Sequence, residues 1–186
     1  MKRKHFFLGL IIVIGLVLLE ESFGLLKEGS TAPRFTANLS SGSTISLTEF
    51  LGKKNVVLFF YPRDFTRGCT AQVCGLRDNY KDLQELDAVI FGVSRDDETS
   101  HEKFIEAYDL PFPLISDPGS SLIRAYRVQR LWGLIALPKR VTYVIDKNGM
   151  IRLAAHHEVF VQKHLEDVFE TLKHLNLEDR RRGEEL

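Results

Sequence analysis

The feature that most constrains the fold is a short apolar run that leads, through a loop, into a helical pattern. Asn55–Phe60 is rich in β-branched and aromatic residues, which predicts a buried strand. Pro62 and Gly68 interrupt the pattern after it. Apolar residues then recur at helical spacing: Leu76, Tyr80, Leu83 and Leu86. A strand that passes through a loop into a helix is a building unit of α/β folds.

Cys69 lies where this loop should enter the helix. The first turn of a helix presents unpaired backbone N–H groups and the positive end of the helix dipole, which stabilise a thiolate. Thr66 comes three residues earlier, where a folded loop could turn its hydroxyl back to bond the sulfur. The spacing of Pro62, Thr66 and Cys69 therefore indicates a reactive thiolate, although a buried, inert cysteine near a turn fits the same local pattern.

The rest of the chain alternates strands and helices. The predicted strands are a hairpin within Phe35–Leu47, then Ala88–Ser94, Pro113–Pro118, Arg140–Asp146 and Met150–Ala155, and the predicted helices are Glu98–Leu110, Ser121–Val128 and Val161–Leu175. This order predicts one α/β domain over residues 25–176, with a mixed central sheet flanked by helices. We expect residues 177–186 to form a charged, frayed C-terminal tail.

Residues 1–24 predict a signal peptide or an N-terminal membrane anchor. A basic start, Lys2-Arg3-Lys4, precedes an apolar run over 6–19, and Glu20-Glu21 ends it. The run is shorter than the roughly 17–25 residues of a comfortable membrane span, which favours a signal peptide, although it remains a candidate membrane tether. The charge order predicts that the body of the chain is exported or anchored on the non-cytoplasmic side. A buried core helix is the third interpretation.

Composition excludes several classes of function. The formal net charge is +0, which gives no electrostatic support to nucleic-acid binding. The two cysteines are too few for a disulfide scaffold, and they lack the paired spacing of a zinc site. Their separation, Cys-x-x-x-x-Cys, also differs from the Cys-x-x-Cys of thioredoxin-like oxidoreductases.

Three separated features resemble one known family. Pro62-x-x-x-Thr66-x-x-Cys69 matches the active-site motif of the peroxiredoxins. The run Val73–Asp78, which contains Cys74, is similar to the Q type, also called bacterioferritin comigratory proteins. Arg140–Gly149 resembles the strand that carries an active-site arginine in that family. The resemblance covers about residues 27–176, and it departs from the family at Arg67, where the family usually has proline.

The resemblance implies a thioredoxin-like fold and a thiol peroxidase that uses no metal, haem or flavin. It makes Cys69 the peroxidatic cysteine, whose thiolate reduces hydrogen peroxide or an alkyl hydroperoxide and becomes a sulfenic acid. It makes Cys74 the resolving cysteine, which forms an intrachain disulfide that a thioredoxin-like dithiol protein reduces. We expect a monomer.

The remaining site residues follow from the chemistry of peroxide attack. A fixed cation is needed where negative charge builds on the leaving oxygen, and the resemblance places Arg140 beside the sulfur. Thr66 would orient the sulfur and its substrate, and Pro62 would shape the loop and keep water away. Each residue also has a plain structural interpretation: Arg140 as a surface residue at a strand start, Cys74 as a small core residue, and Pro62 as a strand terminator.

Two other functions are compatible with the sequence. One is a thiol–disulfide oxidoreductase that acts on protein disulfides, but the missing Cys-x-x-Cys argues against it. The other is a membrane-tethered binding module with a catalytically retired site, which Arg67 alone favours. Comparing peroxide consumption with reduction of protein disulfides distinguishes the oxidoreductase from a peroxidase, and stoichiometric titration of Cys69 by peroxide distinguishes the retired module.

Overall fold

The computed structural model describes residues 24–130 and 137–184, which form a five-stranded mixed sheet, a separate two-stranded hairpin and flanking helices. The strands are β1 (Thr36–Asn38), β2 (Thr44–Ser46), β3 (Asn55–Phe60), β4 (Ala88–Ser94), β5 (Leu114–Ser116), β6 (Val141–Ile145) and β7 (Ile151–His156). The helices are α1 (Arg67–Asp78), α2 (Tyr80–Glu85), α3 (Glu98–Tyr108), α4 (Ser121–Ala125) and α5 (Val161–Glu184), and a 3-10 turn covers Leu47–Glu49. The sheet order is β5-β4-β3-β6-β7.

Strand β3 lies in the centre of the sheet and is covered on both faces. Its residues alternate between two hydrophobic clusters. Val56, Leu58 and Phe60 belong to the cluster on the hairpin side, and the intervening residues Val57 and Phe59 belong to the cluster beneath α1, α3 and α5. All six residues of β3 are buried, and the five that follow Asn55 are all apolar, without the alternation of polar residues seen in a strand with one exposed face.

The pairing of β3 brings the start of β6 to the loop that carries the cysteine motif. Strand β3 runs parallel to β4 and antiparallel to β6. Phe60, the last residue of β3, is opposite Val141, the first residue of β6. Because β3 ends where β6 begins, Arg140 lies at the same edge of the sheet as the loop from Tyr61 to Thr66. The antiparallel register therefore places the predicted arginine near the predicted cysteine.

The helical pattern after the cysteine motif is divided between two helices. Helix α1 ends at Asp78 and α2 begins at Tyr80. Between them Asn79 adopts φ −111° and ψ 14°, outside the helical region, and its side-chain amide donates to the carbonyl of Gly75 at 2.9 Å. This bond satisfies one of the carbonyls that a helix leaves unpaired at its end.

The prediction of a frayed C-terminal tail is wrong for the residues that the structure describes. Helix α5 continues to Glu184. The guanidinium of Arg152 on β7 binds both carboxylate oxygens of Glu178, at 2.9 and 3.0 Å. Lys147, in the turn before β7, binds Asp179 at 2.9 Å. These ion pairs hold the last turns of α5 against the hairpin of β6 and β7. The charged residues that predict a solvated tail are therefore part of the helix.

Candidate active site

Cys69 lies in the first turn of α1 and is fully buried. The helix begins after Thr66, and the N–H of Thr70 donates to the carbonyl of Thr66 at 2.9 Å, which closes the first turn. The N–H groups of the residues between them are those that an α-helix leaves without an intrahelical partner. The sulfur is therefore held at the positive end of the helix dipole, as the sequence predicts.

Arg140 is 5% exposed and contacts the sulfur directly. Its Nη2 lies 3.4 Å from Cys69 Sγ, and its Nη1 donates to Gln72 Oε1 at 2.7 Å. Its backbone N–H donates to Glu158 Oε1 at 3.3 Å, so the strand start is anchored as well. The interpretation of Arg140 as a surface residue is wrong, because the whole guanidinium is buried beside a cysteine that lies 71 residues away in sequence.

The residue before the cysteine leaves room for this guanidinium. A Cβ atom placed on Gly68 would lie 3.0 Å from Arg140 Nη2 and 3.7 Å from its Cζ. Any side chain at position 68 would thus push the guanidinium away from the sulfur. Gly68 therefore has a second role besides interrupting the strand pattern.

A buried histidine, His164, lies close enough to Arg140 for that charge to affect it, and it carries no charge itself at neutral pH. His164 Nε2 donates to the carbonyl of His157 at 2.9 Å, so Nδ1 accepts the hydroxyl proton of Thr142 at 2.9 Å. Burial, together with the charges of His157 and Arg140, lowers the pKa of His164 to about 4. The positive charge beside the sulfur at physiological pH thus comes from Arg140, with no contribution from His164.

The loop residues Pro62 and Thr66 lie where the sequence predicts, but Thr66 has a different partner. Its hydroxyl is exposed and donates to the carbonyl of Arg63 at 3.1 Å, so the predicted bond to the sulfur is not formed. Pro62 is half-buried directly after the end of β3. Arg67 is exposed and is the first residue of α1. The helix therefore begins here although the proline that is usual in the family is absent.

Cys74 lies on the same helix as Cys69 and is half-buried, and both cysteines are free. Five residues along an ideal α-helix correspond to a rise of about 7.5 Å and a net rotation of about 140°, which separates the two Cα atoms by about 8.7 Å. A disulfide requires a separation below about 7 Å. The two sulfurs therefore cannot bond while α1 is intact.

Comparison with known proteins agrees with this geometry. The AhpC/TSA family matches residues 29–154. The chain belongs to this family. It is 42% identical over 158 residues to the chloroplastic peroxiredoxin Q of Gentiana triflora, covering 82% of this chain and 68% of that protein. It is 39% identical over 158 residues to the chloroplastic peroxiredoxin Q of Sedum lineare, covering 82% of this chain and 81% of the relative.

Solved peroxiredoxin structures have the same fold. The peroxidoxin BcpB of Mycobacterium tuberculosis superposes with a TM-score of 0.76 at 31% identity, over 81% of this chain and 98% of that one. Xanthomonas campestris peroxiredoxin Q superposes with a TM-score of 0.71 at 29% identity, over 76% and 91% of the two chains. The predicted Q-type peroxiredoxin family, the thioredoxin-like fold with a mixed sheet, and the thiol-dependent peroxidase function are confirmed.

The prediction that the body of the chain is exported, or anchored on the non-cytoplasmic side of a membrane, is wrong. It is contradicted by the relatives, which are chloroplastic peroxiredoxin Q proteins. Residues 1–23, which include the apolar run over 6–19, lie outside the described residues. Over 24–130 and 137–184, no helix has both the length and the apolar character needed to cross a membrane.

Gln72 is a residue of the peroxiredoxin site that the sequence analysis missed. It lies three positions after Cys69, so both side chains are on one face of α1. Its side chain is buried, and Oε1 accepts the Nη1 proton of Arg140. The spacing on the helix was the available signal, but the partner lies 68 residues away and could not be identified from the sequence.

We expect Gln72→Leu to lower the rate at which peroxide oxidises Cys69 by about tenfold, because Arg140 Nη1 loses its buried acceptor and the guanidinium can turn away. Gln72→Glu retains an acceptor oxygen at the same position and should keep most of the rate. The measurement is the second-order rate constant of the first oxidation for both variants. Equal rates for Gln72→Leu and the parent protein would show that Gln72 does not position Arg140.

Proposed function

We propose that Cys69 is the peroxidatic residue and that it reduces hydrogen peroxide and alkyl hydroperoxides. The observation that carries this proposal is the 3.4 Å contact between Arg140 Nη2 and a buried sulfur at the start of α1. A study of Xanthomonas campestris bacterioferritin comigratory protein, a structural relative, concerns alkyl peroxide reduction. The similarity of fold to that protein, together with the contact between sulfur and guanidinium in this chain, supports the same class of substrate.

In the first step the thiolate of Cys69 attacks the nearer peroxide oxygen. A sulfur–oxygen bond forms as the oxygen–oxygen bond breaks, and the farther oxygen leaves with the electron pair and takes a proton, giving water or an alcohol. Cys69 becomes a sulfenic acid. The helix N–H groups and Arg140 stabilise negative charge on the reacting oxygens, where fixed donors have their largest effect. Pro62 and Thr66 shape the loop that admits the peroxide.

In the second step the thiol of Cys74 attacks the sulfenic sulfur. A disulfide forms and the sulfenic oxygen leaves as water. A thioredoxin-like dithiol protein then restores both thiols by exchange, and is itself oxidised to a disulfide. Since the Cα atoms are too far apart in the intact helix, α1 must open between the two cysteines before the disulfide can form.

Helix opening should be visible by hydrogen exchange. We expect amides of residues 70–78 to lose protection when the protein is oxidised to the disulfide, and amides of β3 (Asn55–Phe60) to keep it because both faces of that strand remain buried. The measurement compares reduced and oxidised protein by exchange and mass spectrometry. Full protection of α1 in the disulfide form would contradict the assignment of Cys74 as the resolving residue.

Gly75→Ala tests by a rate measurement whether α1 must open before the disulfide forms. A Cβ at position 75 would meet Gln162 Oε1 at 3.7 Å and Leu165 Cδ2 at 4.0 Å, which are ordinary contacts. Alanine should therefore be accommodated and should stabilise α1 by about 1 kcal/mol, so disulfide formation slows about fivefold while the first oxidation is unchanged. An unchanged rate of disulfide formation would show that helix opening does not limit this step.

The function is tested by consumption of peroxide by the full-length chain with thioredoxin and its reductase as electron donor. Turnover supports the proposal, whereas reduction of insulin disulfides without peroxide consumption would favour a thiol–disulfide oxidoreductase. If thioredoxin supports no turnover, stoichiometric titration of Cys69 by peroxide separates an active site that uses another reductant from a retired one. The monomeric state stays a prediction, which sedimentation measures.

A further inference from the structure

A buried polar cluster lies beneath the active-site loop, apart from the residues assigned above. Asp64 belongs to the loop between β3 and α1, and His101 lies in the first turns of α3. Their side chains are 1% and 0% exposed, and Asp64 Oδ2 lies 2.9 Å from His101 Nδ1. Neither residue touches Cys69 or Arg140 in the contacts described above, so the peroxidase mechanism does not yet use them.

Both carboxylate oxygens of Asp64 and both ring nitrogens of His101 have a polar partner within hydrogen-bond distance. Asp64 Oδ1 accepts the phenol proton of Tyr61 at 2.7 Å, and Oδ2 also accepts the hydroxyl proton of Ser100 at 2.8 Å. His101 Nε2 lies 3.2 Å from the carbonyl of Ile115, which can only accept, so Nε2 carries a proton. Two hydroxyl donors and one ring nitrogen of His101 thus converge on one buried carboxylate, and the histidine connects that carboxylate to strand β5.

Asp64 is also held through its backbone. Its N–H donates to Asp96 Oδ2 at 3.0 Å, and Asp96 is in turn fixed by the hydroxyl of Ser94 at 2.6 Å. The next residue, Phe65, has φ 58°, in the left-handed region that a bulky residue rarely adopts. Thr66 then occupies the N-cap position of the helix that carries Cys69. The strained turn before α1 is therefore fixed by the end of β4 and the residues after it, in addition to α3 and β5.

A buried acid–base pair gains little net stability over an apolar pair of the same shape, since both groups lose their hydration. Its specific effect is geometric, because it permits one arrangement of the loop and penalises others. We propose that Asp64 and His101 are positioning residues for the peroxidase reaction: they hold the loop so that Cys69 and the first turn of α1 meet the peroxide correctly. This inference rests on the proposed role of Cys69.

The test uses Asp64→Asn in the otherwise unchanged full-length chain. The amide keeps the size of the carboxylate but has only one oxygen to receive the hydroxyl protons of Tyr61 and Ser100, which bind different oxygens of Asp64. We expect the second-order rate of Cys69 oxidation by hydrogen peroxide, measured on protein that circular dichroism shows to be folded, to fall about tenfold or more, because small displacements of reacting groups lower rates strongly. A rate within twofold of the parent's would overturn the proposal, even if the melting temperature falls.

The matched control is Asp87→Asn. Asp87 lies just before β4, at the opposite end of the sheet from the loop, and makes ion pairs with Lys54 at 2.7 Å and Lys147 at 3.0 Å that are partly exposed. The same chemical change there should leave the oxidation rate unchanged. A comparable loss of rate in Asp87→Asn would overturn the proposal, because it would show that loss of any carboxylate slows the reaction.

If Asp64→Asn does not fold, Ser100→Ala tests the same proposal. It removes one donor from the same carboxylate oxygen and keeps the helix. We expect a two- to threefold loss of rate, because Asp64 is held less firmly by the remaining donors, and an unchanged rate would overturn the proposal. The parent protein is measured in parallel: if peroxide does not oxidise its Cys69, the proposed function fails first and the loss of rate has no meaning.

Discussion

Cys69→Ser should abolish peroxide reduction entirely, whereas Cys74→Ser should keep the first oxidation and lose steady turnover. A serine hydroxyl is not ionised at neutral pH and cannot replace the thiolate that breaks the oxygen–oxygen bond. Cys74 lies in the interior of α1, outside the first turn, and has no contact with Arg140 among the described hydrogen bonds. The two thiols thus occupy different environments, from which different roles follow.

Two measurements separate these roles. Single-turnover oxidation by one equivalent of peroxide reports the first step, and mass spectrometry identifies the sulfenic acid or its overoxidised products. In Cys74→Ser the sulfenic acid should persist and proceed to sulfinic acid when more peroxide is added. Equal loss of the single-turnover reaction in both variants would refute the assignment of Cys69 as the peroxidatic and Cys74 as the resolving cysteine.

Arg140→Lys is expected to lower the second-order rate of the first step by about a hundredfold, with a much smaller change in melting temperature. Lysine retains the charge but loses the planar fork through which Arg140 reaches the sulfur and Gln72 at the same time. An ammonium group can bind one of these partners well but not both. Arg140 is also only 5% exposed, so water has little access to replace the missing donor.

Arg152→Lys is the matched control for this substitution. Arg152 also uses its fork to bind carboxylates, those of Glu178 and Asp146, but it lies on β7 away from the sulfur and is about one-third exposed. We expect its replacement to lower the melting temperature slightly and to leave the peroxide rate unchanged. An unchanged rate in Arg140→Lys would mean that Arg140 has only a structural role.

The strand, the loop and the cysteine-bearing helix were predictable because their signals are local. The five residues of β3 after Asn55 are all apolar, since the strand is covered on both faces, and the first helical turn places Cys69 at the positive end of the helix dipole. The motif of Pro62, Thr66 and Cys69 identified the family for the same reason. It did not predict the partner of the Thr66 hydroxyl, since that depends on the turn that the loop adopts.

Contacts between distant residues were decided only by the tertiary structure. The register of β3 against β6 brings Arg140 to Gln72, 68 residues earlier, and the packing of α3 against the loop brings His101 to Asp64, 37 residues earlier. A buried glutamine or histidine has no sequence signature that distinguishes it from a surface one. The ion pairs of Glu178 and Asp179 with Arg152 and Lys147 likewise hold the end of α5, and these two cations lie on the hairpin, outside the helix.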